Sequence, residues 1–153
     1  MTTQSELMVQ KELTAVEKYA TAKGFQVAVV DTLTFVVKNL PSKNGEKYAL
    51  HVHCEDYPNK PPIFRWCAPE TFELESPKDT PKGGGGFFHG CGTPCAPWNR
   101  NSYKQFHSKA PHGDWNMEGW QTNSKIGQCT TIPRMIVKMC TELQSERYIG
   151  RAA

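Results

Sequence analysis

The chain has 153 residues, of which 18 are Lys or Arg and 15 are Asp or Glu, giving a net charge of +3. That length suits one domain with one core and is short for two. No basic run with interleaved aromatics suggests a nucleic-acid track, and no segment is apolar enough for a bilayer, so neither nucleic acid nor membrane is an expected partner. The N-terminus lacks the charged start and apolar stretch of a signal peptide. A cytoplasmic protein is expected, its six cysteines reduced and serving as thiols, a nucleophile or metal ligands.

Thr3 and Glu6 have capping-box spacing, and Val9, Leu13, Val16 and Ala20 follow at helical intervals up to Gly24, which predicts an amphipathic first helix. Three segments of period two come next: Phe25, Val27 and Val29; Leu33, Phe35 and Val37; Tyr48, Leu50, Val52 and Cys54. Residues 41–45, Pro-Ser-Lys-Asn-Gly, form a turn between the last two, and the set predicts an antiparallel meander. Tyr57-Pro58-Asn59-Lys60-Pro61-Pro62 cannot donate ladder bonds at three positions and should turn into a fourth strand, Ile63 to Cys67.

Residues 68–129 carry little periodicity, most of the prolines and glycines, and a glycine run, 83–86, that reads as a mobile tip. Such a long irregular excursion usually serves function. A second packed helix follows, with Thr130 or Thr131 as N-cap, Pro133 in the first turn, and Ile132, Ile136, Met139 and Leu143 on one stripe. The fold class expected is α+β: an N-terminal helix, a four-stranded antiparallel meander, a long irregular segment and a C-terminal helix.

This order resembles the ubiquitin-conjugating enzymes. The Tyr57 to Pro62 run resembles that family's turn before its last strand. His89, then Gly92-Thr93-Pro94-Cys95, then Trp98 and Trp120, then Thr131-Ile132-Pro133 follow the order of its histidine, Gly-x-x-Cys, tryptophan and closing helix. His89 is not followed by Pro-Asn, the segment before the cysteine is long, and further C-terminal helices are not expected, so the likeness is to a compact, divergent bacterial-type member. The resemblance implies a transferase. Cys95 would take the C-terminus of a ubiquitin-like modifier as a thioester from an E1-like adenylating enzyme and pass it to a substrate lysine, in a pathway of the kind used in bacterial antiviral defence. No cofactor is implied.

Such a cysteine must be exposed and partly ionised, and a loop framed by Gly and Pro suits that need. His89, Arg100 or His107 can favour the thiolate, Asn99 or Asn101 can stabilise the oxyanion, and Asp114 can orient or deprotonate the lysine. Cys91 is the replacement nucleophile. Lys11 and Lys18, off the apolar stripe of the first helix, are expected to dock the adenylating enzyme. Cys54, Cys67 and Cys140 read as core filler, Trp98, Trp115 and Trp120 as packing for the excursion, and His51 and His53 as a solvated pair on the far face of the sheet. A competing set, His89, Cys91 and Cys95 with His107 or His112, has spacing compatible with structural zinc. A third reading is a non-catalytic variant that only binds a modifier.

Overall fold

The computed structural model describes residues 1–89 and 92–153. Helix α1, Gln4–Lys23, starts on the predicted capping box: Glu6 N–H donates to Thr3 Oγ1 and Thr3 N–H donates to Glu6 Oε1. It stops at Gly24, whose φ of 84° is left-handed and whose N–H donates to Ala20 O. Its buried face comprises Val9, Glu12, Val16 and Ala20. An acid on that face was not expected, and its role emerges at the second helix.

The meander is β1, Gln26–Asp31, β2, Thr34–Pro41, β3, Lys47–His53, and β4, Ile63–Cys67, paired antiparallel in that order. The register aligns Val27, Val37, Leu50 and Trp66 in one row and Val29, Phe35, Val52 and Phe64 in the next. Because side chains alternate, the rows share one face, and all but the β1 members are buried in the main core. Burying each such side chain contributes about 1.5–3 kcal/mol. His51 and His53 occupy the opposite face. That face is not simply solvated: Val36, Ala49 and Cys67 form a small second cluster beneath Ala28 and Phe72, and His53 Nδ1 lies 2.7 Å from Thr34 Oγ1.

Helix α2, Ile132–Leu143, packs against α1 and on β2. Thr131 is its N-cap, yet the Thr131 side chain makes no capping bond. Glu12 caps instead: its Oε1 accepts from Ile132 N–H at 2.7 Å, and its two carboxylate oxygens also receive Tyr57 Oη at 2.7 and 2.9 Å. One carboxylate therefore joins α1, the proline turn and the start of α2. Negative charge at a helix N-terminus is favourable in itself.

Two short strands were not anticipated. β5, Pro81–Gly83, pairs with β6, Tyr148–Arg151, after α2. Their pairing also corrects the reading of the glycine run as a mobile tip: Gly84 N–H donates to Arg147 O at 2.9 Å, and a Cβ on Gly83 would lie 2.2 Å from that same carbonyl oxygen. Glycine is required there by close backbone approach. Among the described residues no helix is long and apolar enough to cross a membrane.

Candidate functional site

The irregular segment is held by buried polar side chains in place of regular structure. Residues 87–89 lie alongside residues 93–95, with Cys95 N–H donating to Phe87 O at 2.8 Å and His89 N–H to Thr93 O at 3.3 Å. From beneath, Asn99 Nδ2 and Ser102 Oγ both donate to Pro94 O, at 2.8 and 3.0 Å. Ala96 N–H donates to Ser102 Oγ at 3.1 Å, and Tyr103 Oη donates to Pro97 O at 2.6 Å. Thr93 is held through its hydroxyl by Asn101 Nδ2 at 2.8 Å. The backbone on both sides of Cys95 is thus fixed, while Cys95 itself is only half-buried.

Against its sulfur stands His112, Nε2 at 3.2 Å from Sγ. The ring's other nitrogen, Nδ1, lies 3.3 Å from Asp114 Oδ1. Trp115 stacks on the imidazole, ring centroids 3.4 Å apart and planes within 4°. Main-chain bonds place the histidine: His112 N–H donates to Ser102 O, and Lys104 N–H donates to His112 O. With Nδ1–H directed at the carboxylate, the Nε2 lone pair faces the thiol. The Asp114 carboxyl is held below the usual aspartate value, first by its own backbone N–H and then by His112. A thiol, an imidazole that can take its proton and a carboxylate that orients the imidazole form an activated-nucleophile arrangement.

Cys95 and His112 open into a cleft of about 780 Å³. Its walls are the exposed side of α2, the glycine pair Gly85 and Gly86, and residues 125–129; Trp98 and Phe87 contribute apolar surface. Trp98 also packs edge-on against Phe64 at 5.1 Å, which ties the cleft to the sheet.

The expected site residues divide sharply. Cys95 Sγ meets His112, and Asp114 lies against the other nitrogen of that ring. His112, foreseen only as an alternative zinc ligand, is the side chain that stands against the Cys95 sulfur. No local motif links it to Cys95, because the chain closes 17 residues of irregular loop to bring them together.

Asn99 is corrected from oxyanion donor to clamp. It is fully buried, its Oδ1 accepts from Phe64 N–H and Asn101 N–H, and its Nδ2 donates to Pro94 O and Phe64 O. Asn101 is likewise interior, holding Thr93. Arg100 does not serve the thiolate: its guanidinium bonds the carbonyls of Pro61 and Glu55, under the proline turn.

His89 donates its N–H to Thr93 O, two residues before Cys95, and its carbonyl accepts from Gly92 N–H. His107 lies in a turn, its N–H donating to Tyr103 O, and is not part of the cleft wall. Cys91, the alternative nucleophile and zinc ligand, falls outside the described residues. Among the described residues no three His, Cys, Asp or Glu side chains converge as a metal-holding group, although two of the zinc set, Cys95 and His112, do meet.

Burial pushes the Cys54 and Cys67 thiols up to about 12 and Cys140 to about 11, and raises Cys129, so none of these is a ready thiolate. Lys11 and Lys18 are exposed on α1. Trp120 is packing, as expected, its Nε1 donating to Pro58 O at 3.1 Å, whereas Trp115 also positions the histidine. No protein-family model, curated protein or solved structure matches this chain, so its chemistry is read from its own residues.

Proposed function

We propose that this protein is a ubiquitin-conjugating-like transferase in which Cys95 carries the C-terminal acyl group of a ubiquitin-like protein. The observation that carries the reading is a half-buried thiol, 3.2 Å from an imidazole, opening into a cleft large enough for an extended chain. In the loading step His112 takes the Cys95 proton, and the sulfur attacks the donor thioester carbonyl. A new C–S bond forms, and the adenylating enzyme's sulfur leaves with a proton. In the transfer step a lysine amine attacks, the Cys95 C–S bond breaks as the C–N bond forms, and His112 removes the amine's excess proton. This cycle needs reduced thiols, which fits the cytoplasm, and the exposed Lys11 and Lys18 face remains the docking surface proposed for the adenylating enzyme.

The same relay favours a second acceptor, water, which would make the protein a thioester or peptide hydrolase. The fate of the adduct separates the two. The full-length protein is incubated with a peptide ending in diglycine as its C-terminal thioester, and products are followed by non-reducing gel and mass spectrometry. A carrier accumulates a thiol-labile adduct on Cys95 that moves to added lysine; a hydrolase releases free acid without accumulation. Cys95→Ser should give a thiol-resistant ester or nothing, whereas Cys91→Ser should load normally. Equal loss from both, with stoichiometric zinc in the purified protein, would replace the carrier reading by the metal one. Loading that persists in Cys95→Ala would overturn the assignment of the nucleophile.

A further inference from the structure

The cleft beside Cys95 has a strongly one-sided charge. Among the described residues its walls include Lys125, Arg134, Lys138 and Arg147 and one carboxylate, Glu142. The Glu142 side chain is 2% exposed and already satisfied: Arg147 donates to it from Nε at 3.0 Å and from a terminal nitrogen at 2.6 Å, and Lys138 Nζ lies 2.8 Å away. Four cations against the enclosed Glu142 and the exposed Asp114, which lies against His112 and near Lys125, leave an excess of two positive charges around the space into which the thiol opens. Arg134 is exposed on α2 and donates to the neutral Gln128 side chain, at 2.7 Å, so its charge is not cancelled by that bond. Between the cations lie apolar patches, Val137 at 40% exposure and the half-buried Ile126.

A groove that is apolar in places, cationic at its wall and ends at a nucleophile suits an extended peptide with small or apolar residues near its reacting carbon and acidic residues further back. A basic tail would meet like charge at Arg134 and Lys138 on α2. Resting on the carrier reading above, we infer that the cleft selects a donor whose C-terminal tail carries carboxylate side chains a few residues before the acyl carbon, with Arg134 and Lys138 on α2 as the groups that read them.

The test uses the full chain and three diglycine-terminated peptide thioesters of equal length, carrying Glu, Ala or Lys at the upstream positions. Loading of Cys95 is followed by mass spectrometry at low and high salt. The Glu probe should load about tenfold faster than the Lys probe at low salt, with Ala between them, and the difference should shrink as salt screens the exposed charges. The doubly reversed variant, Arg134→Glu with Lys138→Glu, should invert the Glu-to-Lys ratio. Taken within one preparation, that ratio does not depend on how much of the variant is folded. A ratio near one in the wild type, or a ratio unmoved by charge reversal, overturns the tail inference and leaves the carrier reading standing. Failure of every probe to load, while iodoacetamide still labels Cys95, overturns both.

Discussion

Glu12 offers the most demanding check on how α2, one wall of the cleft, is held in place. Its carboxylate accepts from Tyr57 Oη at 2.7 and 2.9 Å and from Ile132 N–H at 2.7 Å, all in the interior. Glu12→Ala removes every acceptor and leaves two buried donors. At about 1–3 kcal/mol for each orphaned donor, and with the favourable charge at the α2 N-terminus lost as well, the cost is about 4 kcal/mol. Set against a total of about 5–15 kcal/mol for a domain, that is a large share of the stability. Glu12→Gln keeps one carbonyl acceptor and the same shape and should cost about 1–2 kcal/mol; Tyr57→Phe, which removes one donor cleanly, should cost a similar about 1–2 kcal/mol. Because both residues act on one network, Glu12→Ala combined with Tyr57→Phe should be less destabilised than the sum by about 1 kcal/mol or more. Urea unfolding at neutral pH, with the slope checked for constancy, measures all four. A loss below about 1 kcal/mol for Glu12→Ala, or strict additivity in the double variant, would refute the claim that this carboxylate ties the two helices and the proline turn together.

Three further outcomes are expected. His112→Ala should slow alkylation of Cys95 by iodoacetamide near pH 6.5 by about tenfold, and Asp114→Asn should slow it less, because the first removes the proton acceptor and the second only its orientation; unchanged rates by mass spectrometry would reject the relay. For Glu142, burial alone would raise the carboxyl, but the hydrogen bonds from Arg147 and Lys138 prevail and lower it. Its contribution is then fully present above the ordinary glutamate value of 4.5 and is lost as pH falls through the lower folded value, so Glu142→Gln should flatten the acid limb of stability in urea titrations at stepped pH. Gly83→Ala puts a Cβ 2.2 Å from Arg147 O and 2.6 Å from Phe88 Cδ2, and should cost about 2–3 kcal/mol by forcing β5 from β6, read as increased amide exchange at Gly84.

Where the chain repeats a period, sequence and structure agree. The capping box, the glycine stop, the alternating rows of the meander and the stripe of α2 each follow from local rules acting over several residues. The misses share a different cause. Glu12 falls on the apolar stripe of α1, where an acid reads as a solvated residue until Tyr57 and Ile132 are known to point at it. β6 is four residues long and exists only because β5 lies beside it, so neither strand has a pattern of its own. Within the candidate site, the Gly-x-x-Cys setting singled out the cysteine that lines the cleft. The histidine was not legible, because the contact between Cys95 and His112 depends on the path of an irregular loop rather than on spacing along an element.

That loop also explains why polar residues which looked like chemistry are structural here. With no ladder to satisfy the backbone of residues 93–98, buried carbonyls and amides must find partners elsewhere, since leaving each unmade costs about 1–3 kcal/mol. Asn99 supplies both halves of a strand partner to Phe64 while holding Pro94, Ser102 serves both Pro94 and Ala96, and Tyr103 reaches Pro97. An asparagine near a cysteine thus answers equally to oxyanion stabilisation and to loop support; burial decides between them, and Asn99 has no exposed surface. The segment acts as a second framework built from side chains. Exposure is left to the half-buried Cys95 and His112, which open on the cleft while the asparagines beneath them are sealed.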